Sequence, residues 1–126
     1  MANPFSFNWL TSVVRQINRS KSYGNTAKSF TARLLIESGP EKYILTIFEG
    51  KVLRVKRYED WTNSWDFALR GSSGEWEKFM DSARLYNDLF ACLRRGFLRL
   101  EGNVELAMTN VGALVGLLEI MRAHKA

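Results

Sequence analysis

The stretch Gly96-Phe97-Leu98-Arg99-Leu100-Glu101-Gly102-Asn103-Val104-Glu105-Leu106-Ala107-Met108 constrains this chain more than any other. Phe97, Leu98 and Leu100 form a compact, partly alternating apolar run that reads as a short strand. Gly102 permits a sharp turn, and Asn103 has the side chain of a good helix N-cap. The spacing then predicts a long helix from Val104 to Arg122. At about 100° per residue, Val104, Ala107, Val111, Leu114, Val115, Leu118 and Met121 fill one face. Leu106, Leu117 and Ile120 widen it, leaving Glu105, Thr109, Gly112, Gly116 and Glu119 as a narrow polar or small strip. A surface helix needs less apolar area. This one belongs at the centre of a core, or it lines something apolar.

The chain has 126 residues, the length of one domain over 1–126, with helix one expected at 8–19 and the core over 29–122. No run reaches the roughly 18 uninterrupted apolar residues of a membrane span, because Glu105, Asn110 and Glu119 interrupt the best candidate. The one cysteine, Cys92, forbids an internal disulfide and suits a reducing compartment, so a cytoplasmic location is expected. Between Ala91 and Leu93 in a predicted helix, it reads as a buried structural thiol. The one histidine, His124, falls near the end of the sequence, where chains usually fray. Histidine-based triads and two-histidine metal sites therefore lack residues, and a single cysteine leaves no structural zinc site. No catalytic residue, metal or cofactor is expected. Glu75-x-Glu77 and Glu59-Asp60 read as solvated charges.

Charge is unevenly placed. Residues 1–36 hold Arg15, Arg19, Lys21, Lys28 and Arg33 and no acid, while the 13 basic and 13 acidic side chains that follow balance. Phe7, Leu10, Val13, Val14 and Ile17 recur at helical spacing behind Ser6 or Asn8 as a cap, and Ser20 to Thr26 reads as a polar loop. Three strands are expected at Ser29–Ser38, Lys42–Phe48 and Lys51–Tyr58, turning at Gly39-Pro40 and Gly50. A fourth runs over Thr62–Arg70. Ser72 with Glu75 three residues on is a capping-box pattern for a short helix ending at Met80. Leu85, Leu89, Phe90 and Leu93 mark another helix, closed by Arg94, Arg95 and Gly96. The two arginines suit the helix dipole and also an acidic headgroup. The pattern is α+β, an antiparallel sheet with helices packed on one side.

Two blocks resemble a known family. Gly96-x-Leu98-x-Leu100-x-Gly102-Asn103, followed by an apolar helix, is similar to the closing strand and final helix of the sterol carrier protein 2 (nonspecific lipid-transfer) family. Upstream, Trp65-Asp66-Phe67-Ala68-Leu69-Arg70-Gly71-Ser72 resembles the family's Asp-bearing strand, which runs into the cap of a short helix carrying an aromatic, here Trp76. The order of the blocks and the distance from Asp66 to Gly96 also fit, and residues from about 30 to 121 can be laid on the pattern. The resemblance implies a five-stranded, mainly antiparallel sheet with helices on one face and a hydrophobic tunnel. It also implies a nonenzymatic carrier of lipid, fatty-acyl or sterol-like molecules. The alternative is an accessory or scaffold subunit that presents an apolar substrate to, or docks on, a separate enzyme.

On that reading the lipid-binding candidates are Trp76, Phe79, Met80, Phe90, Phe97, Met108, Val111, Val115 and Leu118, with Met108 and Met121 adaptable enough to suit several ligands. An ordinary core uses the same residues, so the two readings differ in whether space is left between them. Trp9, Arg15, Arg19 and Lys21, behind Phe5, are the candidate contacts with an anionic membrane, because a basic, acid-free amphipathic helix suits an interface. Its apolar face can instead cover the sheet, alone or while the basic face meets headgroups, and a transit peptide is a further reading. Arg54-Val55-Lys56-Arg57, near Trp61 and Trp65, alternates as a half-exposed strand does, so nucleic acid is not an expected partner. Gly112-x-x-x-Gly116 permits close helix approach or a homodimer contact. The ending Ala-His-Lys-Ala differs from a peroxisomal Ser-Lys-Leu-like signal.

Overall fold

The computed structural model describes residues 6–59, 64–81 and 89–124. Ser6 opens α1 (Phe7–Arg19), its hydroxyl accepting the Trp9 N–H at 3.1 Å. Where a polar loop is expected, one and a half turns of helix form instead, as α2 (Lys21–Thr26). Ser20 explains this. It ends α1, and its hydroxyl accepts the Tyr23 N–H at 3.2 Å, so the same residue caps the next helix. The meander follows as β1 (Ala32–Ser38), β2 (Glu41–Phe48) and β3 (Lys51–Arg57). Gly39 and Gly50 turn it with φ of 59° and 88°, a region that glycine enters without strain.

The second half comprises β4 (Phe67–Gly71), α3 (Ser73–Met80), α4 (Leu89–Arg95), β5 (Arg99–Gly102), α5 (Val104–Thr109) and α6 (Val111–Ala123). The capping box forms as the residues require. Ser72 accepts the Glu75 N–H at 3.1 Å, and the Glu75 carboxylate accepts the Ser72 N–H at 2.7 Å. Asn103 caps α5 by accepting the Leu106 N–H at 3.0 Å. The helix expected over Val104–Arg122 is broken at Asn110. That residue sits at φ −113°, ψ 28°, and its side-chain amide donates back to the Leu106 carbonyl at 3.0 Å, closing the first segment. Leu85, Trp61, Phe5 and the start of the fourth strand at Thr62 lie outside the described residues.

The sheet order is β3-β2-β1-β4-β5, with β1 and β4 parallel and the other pairs antiparallel. Leu34, Leu45 and Phe67 line up across the inner face, with Ile36, Tyr43 and Leu69 in the next row. The helices cover that face, since Leu10, Val13, Ile17, Tyr23, Leu114, Leu117 and Leu118 share one cluster with it. Asn18 docks α1 on β3, donating to the Val52 carbonyl at 3.0 Å and accepting its N–H at 2.9 Å. On the outer face, Leu35, Ile44 and Ala68 form a small separate cluster under Tyr58 and Trp65.

Candidate functional site

Helix α3 supplies the aromatic centre of the layer between sheet and helices. Its capping box fixes where the helix starts, which carries Trp76, Phe79 and Met80 inward. The Trp76 indole N–H donates to the Glu37 carbonyl at the end of β1 at 2.7 Å, so its polar atom is satisfied while its carbon surface faces the core. Phe79 meets it edge-on, with ring centroids 5.7 Å apart. Arg122 of α6 locks this pair from above. Its Nε donates to the Phe79 carbonyl at 2.9 Å, and its guanidinium lies 4.3 Å from the Phe79 ring centroid. Phe97 is half-buried under the Lys78 ammonium, 4.8 Å from its ring.

Six of the nine apolar candidates therefore meet. Trp76, Phe79, Met80 and Leu118 are buried in one cluster, and Phe97 and Val115 pack against it. Val111 is half-buried. Phe90 and Met108 turn outward, at 48% and 37% exposed, because α4 and α5 bury Leu89, Cys92 and Ala107 instead. Among the membrane candidates Arg15, Arg19 and Lys21 are exposed, but Trp9 is not. It is 5% exposed, and its indole N–H donates to the His124 carbonyl at 2.9 Å. The apolar face of α1 is spent on the sheet and on α6, and His124 is held there rather than frayed. Gly112 and Gly116 receive α2 within the chain: a Cβ at either would lie 3.3 Å from Thr26 Cγ2 or 3.5 Å from Tyr23 Cδ1.

The two blocks singled out in the sequence are spatial neighbours. They are β4 and β5, paired from Phe67↔Gly102 to Arg70↔Arg99. Asp66 joins them to β1: its carboxylate accepts the Arg33 N–H at 2.7 Å, and its carbonyl accepts the Asn103 N–H at 2.7 Å. Gly102 has φ 93°, and a Cβ there would fall 2.7 Å from the Asp66 carbonyl and the Trp65 ring, so no larger residue fits. No protein-family model matches the chain, and no curated protein matches it by sequence. Three-dimensional likeness is decisive. The crystal structure of a sterol carrier protein 2 matches over 96% of this chain and 98% of its own, with TM-score 0.79 at 19% identity. The fold is that of sterol carrier protein 2.

Other solved structures share the sterol carrier fold. A conserved protein of Thermus thermophilus, described as possibly a sterol carrier protein, matches over 97% of this chain and 90% of its own, with TM-score 0.74 at 18% identity. The ubiquinone synthesis protein UbiJ-SCP2 matches over 88% and 90%, with TM-score 0.59 at 18% identity. Within this sterol carrier fold, one buried polar group escaped the sequence reading. Tyr23 of α2 is buried, its hydroxyl has no hydrogen-bond partner among the described residues, and burial pushes its pKa up to about 12. The only sequence signal for it was the Ser20 cap. Tyr43 is also pushed up to about 12, first by burial and then by the Glu41 carboxylate that its hydroxyl donates to at 2.6 Å. Among the described residues no three His, Cys, Asp or Glu side chains stand close enough to hold a metal ion, and no helix is long and apolar enough to cross a membrane.

Proposed function

We propose that this chain is a nonenzymatic lipid-binding protein that holds a fatty-acyl or sterol-like molecule between the inner sheet face and the layer of α3, α4 and α6. The likeness to sterol carrier protein 2 over nearly the whole chain supports this most. The side chains suit it too. Trp76, Phe79, Met80, Phe97, Val115 and Leu118 offer carbon and sulfur surface, and the indole N–H among them already has its acceptor. Enclosing a sixteen-carbon chain at ~0.8 kcal/mol per methylene is worth roughly 13 kcal/mol gross. A bilayer is apolar as well, so most of that is offset on transfer and exchange stays reversible. Arg15, Arg19 and Lys21 on the exposed side of α1 would then meet anionic headgroups; replacing all three with Glu should weaken sedimentation with anionic vesicles.

The test is a cavity-filling substitution read two ways. Met108 is too exposed to fill the ligand space, so the substitution belongs at buried Leu118. If a ligand volume adjoins it, Leu118→Trp keeps a near-parental melting temperature and loses uptake of a fluorescent fatty-acyl probe. In a close-packed core the same change overpacks, costing ~1–3 kcal/mol, with no probe uptake to lose. That second result would remove the carrier reading. An accessory role finds support in the likeness to UbiJ-SCP2, named as a ubiquinone synthesis protein. Native mass spectrometry of freshly purified protein separates the two, because a carrier retains lipid and a scaffold comes out empty.

A further inference from the structure

We propose that the outer face of the sheet, at its β2–β3 corner, is a docking surface for an anionic phospholipid membrane. Arg33, Arg54 and Lys56 line an open cleft of about 460 Å³ there, with Ile44 and Leu53 among its apolar walls. The strand register brings the three cations together. Arg54 lies opposite Thr46, which lies opposite Arg33, and Lys56 lies opposite Ile44 in the next row. The register shift beside Thr46 and Ile47 leaves Leu53 as an extra residue of β3, so that it lines the cleft together with Arg54. Leu53 is 65% exposed, and Phe48, two residues beyond Thr46 and so on the same face, is 52% exposed. Arg57 has no share in this corner: it points to the inner edge, 5.4 Å and 5.6 Å from the Phe7 and Tyr43 ring centroids.

The other end of the same face shows what charges look like when they serve the fold. There Glu37 holds Arg70 at 2.8 Å and Lys42 at 3.5 Å, while Glu101 lies 3.3 Å from Arg70 and 3.7 Å from Arg99. At the β2–β3 corner no carboxylate among the described residues comes within ion-pair distance of Arg33, Arg54 or Lys56. Arg33 donates to the Ser64 hydroxyl, and Asp66 beside it spends its carboxylate on the Arg33 backbone N–H. Cations alone would protect β3, an edge strand, from pairing with another chain. That purpose needs neither Leu53 nor Phe48 in water. A polyanion such as single-stranded nucleic acid would neutralise the cations and leave Leu53 solvated. A phospholipid surface uses both kinds of side chain, the cations among phosphates and the apolar tips at the acyl boundary.

This surface lies on the opposite side of the sheet from the lipid layer proposed above, and it rests on that reading only for its purpose. The test is sedimentation of the full chain with phosphatidylglycerol–phosphatidylcholine vesicles and with phosphatidylcholine alone, at low and high salt. The parent should bind the anionic vesicles in a salt-dependent way. Arg54→Gln with Lys56→Gln should bind about thirtyfold more weakly, equivalent to about 1 kcal/mol for each charge removed. Leu53→Ser with Phe48→Ser should weaken binding while keeping the salt dependence. All four positions are exposed, so melting temperatures should stay level and confirm folding. Parental vesicle binding by either double variant overturns the proposal, and so does a parent that ignores anionic vesicles. Retention by a single-stranded oligonucleotide that Leu53→Ser leaves unchanged, with no vesicle binding, assigns the face to nucleic acid instead. Probe uptake separates the two readings: uptake without vesicle binding defeats the docking surface, and the α1 headgroup contact with it, but leaves the carrier standing, and vesicle binding without uptake defeats the carrier alone.

Discussion

Replacing Gly116 with alanine should make this protein more stable, and the structure gives the size of the gain. Gly116 lies inside α6, facing Tyr23 of α2, and an added methyl would sit 3.5 Å from Tyr23 Cδ1, an ordinary van der Waals contact. Glycine in a helix interior is about 0.8–1.0 kcal/mol less favourable than alanine, and nothing in this packing offsets that difference. Gly116→Ala should therefore gain about 1 kcal/mol, raising the melting temperature by roughly 3–6 °C for a chain of this size. At Gly112 the methyl would lie 3.3 Å from Thr26 Cγ2, so crowding absorbs the same gain and Gly112→Ala should match the parent. Gly116→Leu must displace the Tyr23 ring and should lose ~1–3 kcal/mol. Urea unfolding followed by tryptophan fluorescence gives all three values. A loss of stability in Gly116→Ala would refute the described spacing of α2 and α6. A change that depends on protein concentration would instead place the glycine pair in a contact between chains.

Trp76→Phe removes the hydrogen bond to Glu37 and roughly two buried ring carbons, so it should lose about 2.5 kcal/mol in urea unfolding. A change under about 1 kcal/mol would mean that the indole is not anchored there. In spectrophotometric titration, the difference between the parent and Tyr23→Phe should be centred at about 12. The folded value lies above the unfolded one, so the stability linked to Tyr23 is intact below about pH 10 and is lost as pH rises through the folded value; a midpoint near 10 would contradict the burial. Glu75 is held below its ordinary carboxylate value, chiefly by the Ser72 backbone N–H. Its contribution is therefore complete above the ordinary value and lost as pH falls through the folded one, and the stability gap between the parent and Glu75→Gln should narrow as pH falls below the ordinary carboxylate range. A gap that stays constant with pH would argue against the box.

Signals confined to a few residues were readable in the sequence. Ser72 with Glu75, the Asn103 cap and the glycine turns each need only side chains within four positions, and each forms as the sequence requires. Of the features that failed, some depend on partners far along the chain, and others are local bonds that a hydropathy pattern does not register. Periodicity shows that α1 has an apolar face without showing what that face meets, so Trp9 read as a membrane contact although His124 holds it. The break at Asn110 was hidden because apolar residues continue on both sides and the side-chain bond to Leu106 is invisible to pattern. Phe90 and Met108 have the right chemistry for a ligand wall, but the orientations of α4 and α5 bury their neighbours. The alternation of Arg54 and Lys56 with Leu53 and Val55 reads as a half-exposed strand, but the extra residue at Leu53 sets that side chain beside Arg54, and Arg57 turns to the inner edge.

The parallel seam between β1 and β4 bears on how the chain can be made. As the protein emerges from a ribosome, β2 can pair with β1, and β3 with β2, as soon as each appears, through two tight hairpins. The other edge of β1 has no such neighbour until residues 67–71 arrive, and along it Leu34 and Ile36 on one face and Leu35 on the other, all fully buried once folding is complete, lack their β4 neighbours. An apolar strand edge with free N–H and C=O groups is a template for any other strand that reaches it first. Synthesis that stalls after β3 would leave that edge open to neighbouring nascent chains. The arrival of β4 closes that edge, and the far edge of β4, with Phe67, Ala68 and Leu69, then waits in turn for β5.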